Sequence, residues 1–228
     1  MRIGLCCDPS EGPAALEAGY DYVEYGAAAT VPSETTFLFF PGDVKIYGPD
    51  ADALERGKAI IDAAAARGVQ LMALGSGGVR RAPEGMRIED AEEIFYDLAA
   101  ALDQYAQTLG LRVAPESLHP SETNVGTSLP ALARSLHARS CSYTADTYHA
   151  LRQTNTPEAD VDFWRWQVPY IPAHVHLGPY DRSVPKGDDV SLRAFAVRLA
   201  ELGYDGRASL ECRREGIPDP QQIRALFN

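Results

Sequence analysis

Apolar positions along the chain follow two alternating patterns. Ala91, Ile94, Phe95, Leu98, Leu102, Tyr105 and Leu109 recur at spacings of three and four, which predicts an amphipathic helix over Ile88–Leu109. Glu89, Asp90, Glu92 and Glu93 occupy its first turns, where the exposed N–H groups favour acids. Leu192, Phe195, Ala196, Leu199 and Leu202 predict a second helix over Val190–Leu202, capped by Asp188 or Asp189. Between such helices lie short apolar runs without alternation, as expected of strands covered on both faces. One junction recurs: a helix ends at a glycine and such a run follows at once. It occurs at Ala18-Gly19, Arg67-Gly68, Leu109-Gly110 and Leu202-Gly203. Glycine suits the left-handed position that stops a helix, and the repeated αβ unit predicts a parallel α/β fold.

Eight strands are predicted: Arg2–Cys7, Asp21–Tyr25, Thr36–Phe40, Val69–Leu74, Leu111–Glu116, Cys141–Asp146, Ile171–Leu177 and Arg207–Glu211. That number suits a closed (β/α)8 TIM barrel forming a single domain over residues 1–228, in the α/β class. The segment Gly26–Thr35 is too short for a full crossover helix, so the second outer helix is expected to be abbreviated. A doubly wound sheet is the alternative, and no strand–Gly-x-Gly-x-x-Gly–helix unit supports it.

Composition narrows the function more than the fold. The chain is 45% hydrophobic and 23% charged, as ordinary globular proteins are, and its net charge of −11 opposes nucleic acid and anionic membrane surfaces. No run is long enough to span a membrane, and Met1–Cys7 reads as a strand rather than a leader, so a cytoplasmic location is expected. Cys6, Cys7, Cys141 and Cys212 lack the paired spacing of a zinc site and are expected to be reduced core residues.

In such a barrel the active site lies at the C-terminal ends of the strands. Four consecutive strands bring ionisable groups there: Glu116, Asp146 with His149 close behind, His176, and Glu211. Three unpaired carboxylates in one cleft would repel one another, and a cation is the usual remedy. The donor set suits one divalent ion, Mn²⁺ first, with Mg²⁺, Co²⁺ or Zn²⁺ as alternatives. Remaining coordination positions would take two oxygens of a small sugar-like or hydroxy-keto substrate.

These residues fall within a longer ordered set: Gly19-Tyr20-Asp21-Tyr22-Val23-Glu24, Pro115-Glu116 with Glu122-Thr123-Asn124, Asp146-Thr147-Tyr148-His149, His174-Val175-His176-Leu177 with Arg182, and Ser209-Leu210-Glu211. The set resembles the xylose isomerase-like sugar phosphate isomerase/epimerase superfamily of metal-dependent barrels. The resemblance implies that Glu116, Asp146, His176 and Glu211 are metal ligands and that Glu116 and Glu211 are also the acid/base pair. It implies that His149, Arg182 and Glu122 bind substrate. Ser117 stands where such barrels usually carry proline. Relatives of this kind commonly form dimers or tetramers, so a homo-oligomer is compatible with the resemblance. The expected activity is sugar isomerisation or epimerisation through an enediolate, with two Glu carboxylates moving the proton. Alternatives are a metal-dependent dehydratase acting on a polyol ketone or hydroxy-keto acid, and a non-catalytic sugar-binding barrel. The related DNA-repair endonucleases need more histidine ligands than five scattered ones supply.

Several residues have structural readings. His174 shares an inward face with His176 and is expected to be a satisfied core histidine. His119 and His137 are expected at the surface. Glu24 either lines the pocket or pairs with an arginine. Gly75–Arg80 reads as a tight βα turn in preference to a phosphate cradle. Of Trp164 and Trp166, one is expected in the core and one outside.

Overall fold

The computed structural model describes residues 1–227. Eight parallel strands, β1 (Arg2–Cys6), β2 (Tyr22–Gly26), β3 (Thr35–Phe37), β4 (Leu71–Leu74), β5 (Arg112–Pro115), β6 (Thr144–Asp146), β7 (His174–Leu177) and β8 (Arg207–Leu210), form one sheet in the order β5-β4-β3-β2-β1-β8-β7-β6. β5 and β6 meet through a bridge between Glu116 and Thr144. The Thr144 hydroxyl donates to the Ala114 carbonyl at 3.0 Å across the same seam. The sheet therefore curls into a nearly closed (β/α)8 barrel.

The outer layer consists of α1 (Gly12–Glu17), α2 (Ala53–Ala65), the single turn α3 (Gly77–Arg80), α4 (Ile88–Thr108), α5 (Leu129–Ala138), α6 (Thr147–Thr154), α7 (Val161–Gln167), α8 (Val190–Glu201) and α9 (Pro220–Arg224). The second crossover is as short as its segment predicts: no helix joins β2 to β3, only turns and bends over 27–34. Gly19, Gly68, Gly110 and Gly203 have φ between 70° and 101°, the left-handed geometry that ends a helix. Asp189 caps α8, accepting from the Leu192 amide at 2.8 Å. Ile94 and Leu109 are 40% and 44% exposed, so the buried stripe of α4 is narrower than its spacing predicts. Among the described residues, no helix is long and apolar enough to cross a membrane.

The strands are shorter than their apolar runs because parts of those runs pack as loops. Leu38 has φ 51°, which turns the chain off β3, so Phe39 and Phe40 pack edge-to-face at 4.7 Å outside the ladder. The Phe40 amide is held by the Ser76 hydroxyl at 2.7 Å. Inside the barrel, Gly4 leaves room for an aromatic ring: a Cβ there would lie 2.3 Å from the Tyr22 ring. At the N-terminal end, Glu34 accepts from Arg2 and Arg207 and closes the floor. Trp164 is fully buried and donates to the Ser191 carbonyl at 2.8 Å, whereas Trp166 is 55% exposed. All four cysteines are free, with Cys7 and Cys141 buried and Cys6 and Cys212 half-buried.

The Gly75–Arg80 segment is a tight turn. Arg80 points inward and is fully buried against the Phe95 ring, 4.1 Å from its centroid. Its guanidinium donates to the carbonyls of Gly75, Glu116, Val125 and Gly126 at 2.7–3.3 Å. Burial pulls its pKa down to about 10, so it keeps its charge at neutral pH. With both terminal nitrogens bonded to main chain and its Nε–H without a partner, Arg80 fastens two loops of the rim and one expected ligand, Glu116. Arg80→Met would leave those carbonyls without their donor inside the protein. The expected loss is about 3–5 kcal/mol, read as a fall in Tm of roughly 6–20 °C; an unchanged Tm would remove Arg80 from this role.

Candidate metal centre

The four expected ligands come from consecutive strands on the seam side of the barrel. Glu116 follows β5, Asp146 ends β6, His176 lies in β7 and Glu211 follows β8. Register places Asp146 beside His176, and His176 beside Ser209, two residues before Glu211. One ligand atom from each of the four lies within 4.8 Å of every other. His176 Nδ1 is 2.9 Å from Glu116 Oε1, 3.2 Å from Glu211 Oε2 and 3.9 Å from Asp146 Oδ2. The carboxylates thus converge on one ring nitrogen. Glu116, Asp146 and His176 are buried, and Glu211 is half-buried.

The electrostatics follow from that crowding. Burial and the neighbouring charges of Glu116 and Glu211 push Asp146 well above the ordinary carboxylate range. Burial alone would depress His176, but Glu24 and Glu116 outweigh it and hold the ring well above its ordinary value. Glu116 goes the other way: burial would raise it, and His176 brings it below its usual range. Without a metal, protons on His176 and Asp146 offset part of the negative charge. Three carboxylate oxygens and one imidazole at such separations fit a divalent cation, which would take over that task.

The expected substrate-binding residues surround this centre. Arg182 pairs with Glu211 Oε1 and stacks over Tyr148, 4.5 Å from the ring centroid. It adopts φ 59°, a left-handed conformation that a non-glycine residue keeps only when its surroundings hold it. His149 is buried near the start of α6, where its amide donates to Asp146 Oδ1 at 2.8 Å. Its Nδ1 accepts from the His119 amide at 2.9 Å, which leaves Nε2–H as the ring's free donor. Burial lowers the His149 pKa, favouring the neutral ring. Glu122 is more exposed and lies 3.8 Å from His149 Nδ1. His119 therefore touches the site through its main chain, while His137 is exposed and stacks on Tyr170 at 3.9 Å.

Sequence reasoning did not find the layer beneath the candidate metal centre. Glu24 is fully buried and pairs with histidines rather than an arginine: Oε1 is 3.2 Å from His176 Nε2, and Oε2 is 2.8 Å from His174 Nε2. Ser209 also donates to Oε2 and contacts the Tyr22 hydroxyl at 2.9 Å. Burial would raise the Glu24 carboxyl, but His174 and His176 bring it well below its usual range. The signal was strand parity: Tyr22 and Glu24 share the inward face of β2, as His174 and His176 share that of β7. Parity puts His174 and His176 inside, but it does not say that Glu24 meets them.

The model for a xylose isomerase-like TIM barrel matches residues 35–228. No curated protein sequence matches the chain significantly. Several solved structures share its fold. D-psicose 3-epimerase from Clostridium cellulolyticum H10 superposes with a TM-score of 0.74 at 16% identity, covering 99% of this chain and 90% of that one. 3-Keto-D-glucoside 4-epimerase from E. coli gives 0.73 at 18% identity, covering 100% and 97%. A Brucella melitensis protein described as AP endonuclease, family 2, gives 0.73 at 16% identity, covering 98% and 97%. At such identities the likeness shows the fold, and the family rests on the model match, which spans most of the sequence. The chain belongs to the xylose isomerase-like TIM barrel family.

Proposed function

We propose that this protein is a divalent-metal-dependent isomerase or epimerase of a small sugar-like or hydroxy-keto substrate. The observation that carries the reading is the convergence of Glu116, Asp146, His176 and Glu211 on one point at the barrel mouth. Mn²⁺ is the ion of first choice for this oxygen-rich set, and Mg²⁺, Co²⁺ and Zn²⁺ are also compatible. The epimerases among the structural neighbours support the same class of chemistry.

When bound, the ion would supply Lewis-acid polarisation of the substrate carbonyl, making the adjacent C–H acidic enough to remove. The residues supply the rest. Glu116 and Glu211 approach His176 Nδ1 from two strands separated by β6 and β7, which supports their use as a pair acting on a substrate from two sides. One takes the proton from carbon, forming an enediolate; the other returns one to the opposite face or to the neighbouring carbon. Arg182 holds Glu211 through Oε1 and leaves Oε2 towards the centre. His149 Nε2–H donates to a substrate oxygen, and Glu122 beside it accepts from a hydroxyl. Arg80 keeps Glu116 in place through its carbonyl.

Metal-stripped protein given Mn²⁺ at about a hundredfold excess over Kd should gain about 2.7 kcal/mol, a rise in Tm of roughly 5–10 °C. Asp146→Asn should abolish the rise; no shift with any of the four ions would sink the metal reading. Binding must also displace the protons on His176 and Asp146. Both pKa values are raised in the metal-free protein, so protons persist to higher pH and affinity should strengthen as pH rises. Calorimetry in buffers of different ionisation enthalpy should report proton release on binding, and heats independent of buffer would contradict it. For the chemistry, Glu211→Gln should slow exchange of a ketose C–H with solvent deuterium by about 10²–10⁴-fold while Tm holds. D-psicose and D-tagatose are the first probes, and normal exchange in that variant would remove Glu211 from proton transfer.

A further inference from the structure

Beneath the rim, the barrel interior is polar where barrels of this architecture usually carry branched apolar side chains. Glu24, His174, His176 and Ser209 are all completely buried there, with Tyr22 next to them. A carboxylate in such a place survives only if its lone pairs are taken up by donors. Glu24 meets that condition: His176 Nε2 at 3.2 Å lies on one oxygen, and His174 Nε2 at 2.8 Å and the Ser209 hydroxyl lie on the other. The two imidazoles stand nearly perpendicular, at 85° with centroids 4.9 Å apart. Neither ring can rotate without breaking a bond to the same carboxylate.

We propose that Glu24 is a positioning residue for the metal centre: by accepting from His176 Nε2–H, it aims Nδ1 at the point where Glu116, Asp146 and Glu211 converge. The proposal rests on the metal reading above. An imidazole that keeps a proton on Nε2 offers the lone pair of Nδ1, and one held in the other tautomer cannot bind a metal there. A carboxylate hydrogen-bonded to the distal nitrogen fixes the tautomer and the ring plane together, and it raises the basicity of the ligand nitrogen. Glu24 supplies that carboxylate from β2, across the barrel interior from β7. His174 and Ser209 hold Glu24 in turn, and Tyr22 lies hydrogen-bonded to Ser209 where Gly4 leaves room for its ring. The histidine one pleat below the ligand thus acts on the centre through the carboxylate they share.

The informative substitution is Glu24→Gln, which keeps size and burial. An amide has one accepting and one donating end, so it cannot accept from both imidazole N–H groups. Direct calorimetric titration of stripped protein with Mn²⁺ should show affinity about 10–100-fold weaker than wild type. Ser209→Ala removes one prop of the same carboxylate, should weaken affinity less, and decides the matter if Glu24→Gln does not fold. A purely structural Glu24 would lower the Tm of the stripped protein and leave the Mn²⁺ Kd of the folded variant unchanged; that result overturns the proposal. Cys6, Glu24 and His176 also lie close enough to hold an ion themselves. A stoichiometry of two ions per wild-type chain, falling to one in Glu24→Gln, would make Glu24 a ligand and overturn its positioning role. Wild type that binds no ion overturns the metal reading and this inference together, whereas equal binding by wild type and variants overturns only this inference.

Discussion

Like charges forced together out of water are the condition around which this molecule is built. Glu116, Asp146 and Glu211 sit at one end of a barrel with a buried interior, with Glu24 immediately below. Each carboxylate favours its neutral form when buried and its charged form when donors or cations face it. The protein divides the problem in two. Below, Glu24 is matched by His174, His176 and Ser209. Above, three carboxylates share one imidazole edge and the Arg182 guanidinium on Glu211, too little positive charge to balance them. That shortfall is what suits the upper layer to the proposed cation and leaves the lower layer as its support. His176 belongs to both and ties one to the other.

The rim reinforces this arrangement with cations used in two ways. Arg80 is buried and spends its hydrogen bonds on carbonyls, so it organises loops. Arg182 is partly open and bonds the Glu211 side chain, which leaves it within reach of the proposed substrate. The difference comes from depth: a guanidinium sealed below the loops has no route to a ligand, whereas one on a rim loop does. Residues 27–34 carry no helix, and the β2–β3 side contributes no group to the cluster of four, which comes entirely from the strands on either side of the seam.

Much of the fold was legible because it depends on local chemistry. Four glycine-terminated junctions marked the αβ repeat, and all four glycines take the left-handed geometry that helix ends require. Strand count and order followed from runs covered on both faces. The ends of those runs were misplaced because an apolar residue can be buried by a loop as well as by a ladder, as Phe39 and Phe40 are. The α4 stripe was read too wide because helical spacing gives the face, while its width depends on what packs against it. Ile94 is in phase yet 40% exposed.

For the site, the sequence by itself determined the candidate ligand types and the rim they share. Strand ends are local features, and a barrel gathers them at one mouth whatever its loops do. Only tertiary structure decided which buried polar groups meet. Glu24 and His174 are 150 residues apart; parity placed His174 inside, Glu24 stayed between the pocket and an arginine, and nothing said that β2 would face β7 across the interior. The same holds for Arg80, whose partners reach as far as Gly126 and include main-chain carbonyls that carry no mark in the sequence. Residue type and alternation are written along the chain. Pairing across a closed barrel is set by its curvature and shear, which emerge only when all eight strands are assembled.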